Sequence, residues 1–221
     1  MSKKPIEMLE DISLIDLPGV VEGGFGGHGV IAARIDGIVY VNTHLTPFSN
    51  DPDTSNRRAG AKAIVDRIVK KYEDEPLLVM GDHNNVSPED KNRYDVDFLC
   101  ANGGVTYCDH PNSPTDNTTV EINYDSIQEY LDAGLSDLCW LGVVWDIEMK
   151  TNSRSLYNQC SNSCSTAIFA ADSDNLAKID FIFGNEAFLK QYNVIHSRTQ
   201  VNVKVHRTSD HYPVDLYFTK N

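Results

Sequence analysis

A stretch from about Asn56 to Tyr72 carries its apolar residues Ala61, Ile64, Val65, Ile68, Val69 and Tyr72 at helical spacing, and apolar runs of a different kind flank it. Ile12–Leu17, Val30–Ile35 and Ile38–His44 are short, rich in β-branched residues and bounded by Gly or Asp, and further strand-like runs follow at Leu77–Met80, Ile179–Phe183 and Val214–Phe218. Strands interrupted by amphipathic helix, including a second helical segment near Ile127–Leu131, bury their apolar faces only by layering, so the pattern implies an α/β or α+β sandwich. Asp36-Gly37 between the second and third runs signals a tight hairpin. The basic residues Arg57, Arg58, Lys62, Arg67 and Lys70 fall off the apolar stripe of the first helix and are expected on its outer face. No repeat or low-complexity segment divides the 221 residues, so one domain, 1–221, is expected.

Charge limits the partners. Nineteen Lys and Arg against 32 Asp and Glu leave a formal net charge of −13, which opposes adhesion to polyanions unless basic residues cluster or a bound cation offsets the field. No apolar run approaches the roughly 20 residues of a membrane span. The first residues lead from Lys3 and Lys4 into Glu7, Glu10 and Asp11, which is not a secretory signal, so the chain as written is expected in the cytoplasm, and in a secreted protein if an upstream signal peptide has been lost. Five cysteines, Cys100, Cys108, Cys139, Cys160 and Cys164, leave at least one unpaired. Three readings stay open for them: buried thiols, a bridge such as Cys160 to Cys164 in an oxidising compartment, or a zinc site with Cys108 and His110. No protein partner is inferable.

Chemistry-bearing residues gather at the strand ends. His44 closes Val39-Tyr40-Val41-Asn42-Thr43, and Asp82 and Asn84 close Leu77–Gly81. Asp180 interrupts the apolar Ile179–Phe183, and Asp210 and His211 precede Tyr212-Pro213. On an extended backbone Asp82 and Asn84 project from one face and His83 from the other. Asp180 sits in an apolar run where an unpaired charge costs several kcal/mol, so it needs a partner, for which His211 is the candidate. Taken singly, each of these residues is as well explained by a turn, a loop hydrogen bond or a strand-end histidine. Their joint occurrence carries the argument.

No G-x-S-x-G elbow and no H-E-x-x-H is present, and no cysteine stands beside a plausible histidine base. Three carboxylates in one pocket, Asp82, Asp180 and Asp210, repel one another unless a cation or protonation intervenes, and an oxygen-rich set suits Mg²⁺, with Mn²⁺ or Ca²⁺ as substitutes. A hard cation, imidazoles and an amide together suit attack of water on a phosphate ester. Gly24-x-Gly26-x-x-Gly29 matches the dinucleotide fingerprint literally, but Val30–Ile35 continues as a strand where that fingerprint requires a helix.

Four segments in order resemble the signatures of the endonuclease/exonuclease/phosphatase superfamily: Thr43-His44-Leu45, Gly81-Asp82-His83-Asn84, Ile179-Asp180-Phe181-Ile182 and Ser209-Asp210-His211-Tyr212-Pro213-Val214. The resemblance implies an α+β fold, a four-layered sandwich of two mixed sheets flanked by helices, and a Mg²⁺-dependent phosphoesterase site. It makes His211, oriented by Asp180, a proton-transfer group, with Asp82 and Asn84 positioning water and phosphate. It has His44 bonding the phosphate or assisting the leaving group, and Asp210 helping to hold the metal. Whether Asp82 or His211 is the base stays open. The expected substrate is a phosphomonoester or phosphodiester: a small molecule, a lipid headgroup or nucleic acid. The net charge tilts the choice from long nucleic acid, against which Arg57, Arg58, Lys204 and Arg207 could form a local basic rim. DNase-like endonuclease activity is one alternative, and a catalytically inactive truncated binding module is another.

Two features depart from the family pattern. His83 replaces an apolar residue expected to face the core, where an imidazole needs a hydrogen-bond partner. The strand, helix and glutamate-bearing strand that open the family domain have no counterpart before Ile12, and Met1–Ile6 resembles a segment that follows them. The expectation is an N-terminally truncated domain whose natural form carries further residues, and the rival is a truly short chain lacking its carboxylate anchor.

Overall fold

The computed structural model describes residues 2–13, 29–46, 55–90, 108–109, 121–122, 124–139, 167–168, 176–199 and 214–221. Its centre is a six-stranded mixed sheet built from β1 (Ile6–Ser13), β2 (Gly29–Ile35), β3 (Ile38–His44), β4 (Leu77–Asp82), β10 (Asp180–Gly184) and β7 (Ser136–Asp137), in the order β1-β2-β3-β4-β10-β7. The hairpin between β2 and β3 turns on Asp36 and Gly37, both at positive φ (53° and 82°), as a two-residue turn matched to strand twist requires. Strands β3 and β4 run parallel, so the chain must cross over between them. It does so through α1 (Ser55–Ile64) and the π-helical turn Val65–Val69 that continues it. The apolar stripe read from Asn56 to Tyr72 is thus one helical segment.

Alternation divides the sheet into two unlike faces. Val39, Val41, Leu77, Val79, Phe181 and Phe183 point to one side and pack against Ala61, Ile64 and Ile68 of α1 and against Ile127 and Tyr130 of α2 (Asp125–Asp132). Each of the Val, Leu, Ile and Phe side chains among these contributes roughly 1.5–3 kcal/mol by leaving water. Ile38, Leu78 and Ile182 point to the other side, towards Phe188 of α3 (Glu186–Gln191) and towards Tyr192, Val194, Leu216 and Phe218. Those last residues belong to a second sheet, the antiparallel pair β11 (Tyr192–Thr199) and β12 (Val214–Lys220). Helices, mixed sheet and second sheet therefore stack as layers, and the fold is α+β.

Short pairings complete the described elements: β5 (Cys108–Asp109) with β6 (Glu121–Ile122), and β8 (Ala167–Ile168) with β9 (Leu176–Ala177). Asn185 caps α3, its Oδ1 accepting from the Phe188 and Leu77 amides and its Nδ2 donating to the Glu75 carbonyl, which ties β4 to the end of β10. Gly29–Ile35 is a strand, which leaves the glycine fingerprint without the helix it needs. No helix among the described residues is long and apolar enough to cross a membrane.

Candidate active site

Strand register brings three of the sequence-identified residues into one row. His44 of β3 is level with Asp82 of β4, and Asp82 is level with Asp180 of β10. Residues level on neighbouring strands point to the same face, here the face that carries the second sheet. His44 Nε2 lies 3.4 Å from Asp82 Oδ2, the imidazole 53% exposed and the carboxylate 16%. A solvent-open imidazole beside a largely screened carboxylate, with a second carboxylate on the next strand, is an arrangement able to take up or give a proton at an exposed substrate.

The backbone around Asp82 explains why the row is sharply placed. Gly81 adopts φ 132°, and a Cβ there would stand 1.9 Å from the Thr43 carbonyl oxygen, so only glycine lets β4 approach β3 this closely. The Leu45 amide donates to the Asp82 carbonyl, and the His83 amide to the Ile179 carbonyl. The extended geometry assumed for Asp82 and Asn84 ends at Asp82. Asn84 takes a left-handed φ of 48°, because the chain turns off the strand there, and its amide donates to Asp82 Oδ1 at 2.8 Å. Its side-chain Nδ2 donates to the Leu45 carbonyl at 2.9 Å. Asn84 therefore joins the site by bracing the carboxylate and the end of β3, not by sharing a strand face with Asp82.

His83 points into the helix-side core, as alternation requires. Its ring stands edge-on to Tyr130, Phe181 and Phe183, with centroids 5.0, 5.6 and 5.5 Å away. The expected hydrogen-bond partner does not appear among the described residues: both ring nitrogens are buried without one. Burial pushes the imidazole down to about 3, so it packs as a neutral aromatic ring. The buried Tyr130 hydroxyl beside it also has no partner among the described residues, and burial pushes it far above its ordinary value.

Arg57 departs from its expected place. It is fully buried and Nη1 donates to the Asn84 carbonyl, because the first turn of α1 tucks beneath the turn that follows β4. It belongs to no surface rim. Arg58 is exposed and pairs with Asp125 and Glu129 of α2. Lys204, Arg207, Asp210 and His211 lie outside the described residues, and so does any pairing of His211 with Asp180.

For a hard divalent cation, Asp82 and Asp180 supply adjacent carboxylates of suitable chemistry. Among the described residues no three His, Cys, Asp or Glu side chains converge as a metal cage. The row thus fits one side of such a site.

A second acidic group, missed in the sequence, stabilises β10 from behind. Asp137 of β7 forms a buried ion pair with Lys178 and accepts the Cys139 amide at 3.0 Å, while Lys178 Nζ lies 4.8 Å from the centroid of the Phe181 ring. Lys178 in an apolar run, two residues before Asp180, was the available signal. Cys139 is disulfide-bonded, which settles its own thiol in favour of a bridge. The side chains of Cys100, Cys108, Cys160 and Cys164, and His110 with them, lie outside the described residues.

No family model and no curated protein matches the sequence. Solved structures do match the fold. A 3′-5′ exonuclease from Neisseria meningitidis is 16% identical, with TM-score 0.58, over 98% of this chain and 73% of its own. An AP endonuclease from Archaeoglobus fulgidus is likewise 16% identical, with TM-score 0.58, over 98% and 72%. A mannosyl-6-phosphatase from Bacteroides thetaiotaomicron is 14% identical, with TM-score 0.52, over 99% and 68%. At these identities the likeness is one of fold, and the fold is that of endonuclease/exonuclease/phosphatase proteins.

Proposed function

We propose that the protein is a metal-dependent phosphoesterase that hydrolyses a phosphomonoester or phosphodiester by in-line attack of water. The observation that carries this reading is the cross-strand row of His44, Asp82 and Asp180, with His44 Nε2 3.4 Å from Asp82 Oδ2, on a fold whose solved neighbours include nucleases and a phosphatase. In this reading His44 bonds a phosphate oxygen or protonates the leaving group, and Asp82, braced by Asn84, orients the water. Proton transfer from that water falls to His211, oriented by Asp180, or to Asp82 itself. Mg²⁺, held by Asp210 with the carboxylates of the row beside it, would withdraw charge from the phosphate oxygens.

The net charge of −13 favours a small phosphoester or a lipid headgroup over long nucleic acid. Assays with Mg²⁺ on plasmid DNA, on sphingomyelin vesicles and on bis(p-nitrophenyl) phosphate, beside Asp82→Ala and His44→Ala, test the reading. Turnover of at least one substrate, falling about 100-fold or more in Asp82→Ala, is expected. Equal silence of all three proteins on every substrate favours a binding module instead. The bridge at Cys139 supports an oxidising compartment as the place of action.

A further inference from the structure

We propose that Arg57 is a positioning residue of this site, a buried guanidinium that locks the turn on which Asp82 and Asn84 depend; the proposal rests on the phosphoesterase reading. A fully buried arginine is costly unless its hydrogen bonds are satisfied, and a neutral side chain would fill a helix-sheet boundary at less cost. What Arg57 does there is specific: Nη1 donates to the carbonyl of Asn84, the residue whose φ of 48° turns the chain off β4.

That turn is strained for a side chain with a Cβ, and of the common residues asparagine tolerates it best. Three bonds meet on it. Arg57 holds the Asn84 carbonyl, Asp82 Oδ1 takes the Asn84 amide, and the Leu45 carbonyl takes Asn84 Nδ2. The next residue, Asn85, is buried and anchored through Nδ2 to Ser126 Oγ of α2 at 2.8 Å. Two of these bonds are charge-assisted, the one donated by the Arg57 guanidinium and the one accepted by the Asp82 carboxylate, and of the two only the former ties the turn to α1.

Once its carbonyl is released, relaxation of Asn84 from φ 48° would turn its own N–H, which lies in the preceding peptide, away from Asp82 Oδ1 and free the carboxylate to reorient beside His44. A displacement of about 1 Å at a reacting group costs on the order of 100-fold in rate. Arg57 thus acts on turnover through Asp82, without touching substrate.

The test compares wild type, Arg57→Met, Arg57→Lys and the surface control Lys62→Ala on bis(p-nitrophenyl) phosphate with Mg²⁺, at a temperature where circular dichroism shows each folded. Arg57→Met is expected to lower kcat about 100-fold with KM within about twofold, Arg57→Lys to recover about tenfold of that loss, and Lys62→Ala to match wild type. A folded Arg57→Met with kcat within about threefold of wild type overturns the proposal, as does an Arg57→Lys no better than Arg57→Met. Amide exchange by NMR gives a readout independent of turnover, since the Asn84 amide is expected to exchange at least tenfold faster in Arg57→Met. An unchanged exchange rate refutes the lock even where wild type proves inactive, whereas an inactive wild type with faster Asn84 exchange in the variant refutes only the phosphoesterase reading.

Discussion

His83 gives this fold a specific sensitivity to acid whose size can be worked out. The imidazole is buried among Tyr130, Phe181 and Phe183, and its ionisation is pushed from an ordinary 6.5 down to about 3. The unfolded chain therefore takes up a proton near pH 6.5 that the folded chain refuses until about pH 3. Between those values the unfolded state binds more protons, so stability is intact above about pH 6.5 and falls as the pH drops through the window. At pH 5, one and a half units below the unfolded value, this residue alone costs about 2 kcal/mol. His83→Leu removes the titration while keeping the volume similar. It also removes two buried nitrogens that have no partner among the described residues, which offsets the loss of edge-on ring contacts of about 0.5–1.5 kcal/mol each. Urea unfolding at pH 8, 7, 6 and 5, followed by circular dichroism and extrapolated to water, is the assay. Wild type is expected to lose about 2 kcal/mol more than the variant between pH 8 and pH 5. Parallel pH profiles for the two proteins would refute the reasoning, since they would mean that His83 titrates alike in the folded and unfolded chains.

Other consequences follow from the same geometry. Gly81→Ala forces a Cβ against the Thr43 carbonyl and should destabilise the fold by about 3 kcal/mol in the same urea assay; a loss below about 1 kcal/mol would contradict the close approach of β3 and β4. Asp137→Asn deprives the buried Lys178 ammonium of its carboxylate and should cost about 3–5 kcal/mol, whereas the double change Asp137→Leu with Lys178→Met should cost much less, a contrast that chemical denaturation resolves. Thiol titration of the denatured, unreduced protein should find at most three of the five cysteines free, and mass mapping should place Cys139 in a bridge; five free thiols would contradict it.

The alternation of Ile38–His44 and the turn pair Asp36-Gly37 were enough to place β3, its hairpin and the strand-end position of His44, because strand period and turn chemistry are local. The inward course of His83 followed from the same alternation. Local rules stopped one residue later, at Asn84, whose left-handed φ depends on contacts with Leu45 and Arg57, residues 39 and 27 positions away in the chain. For the same reason Arg57 read as one of five basic residues on a helix face. Its burial follows from where α1 docks, and helical periodicity does not encode docking. The strand β11 was missed because Tyr192–Thr199 mixes Asn193, His196 and Arg198 among its apolar residues, and its pattern makes sense only beside β12. The partnership of Asp137 with Lys178 spans 41 positions and left only a lysine in an apolar run as its trace.

The most direct measurement of the central proposal is the Mg²⁺ dependence of bis(p-nitrophenyl) phosphate hydrolysis by wild type and by Asp180→Asn, a change that keeps the shape of the side chain in the row and removes its charge. Wild type should show a rate that saturates with Mg²⁺ and vanishes with a chelator, and Asp180→Asn should fall at least 100-fold. Equal rates for the two proteins, or a rate indifferent to Mg²⁺, would contradict the account.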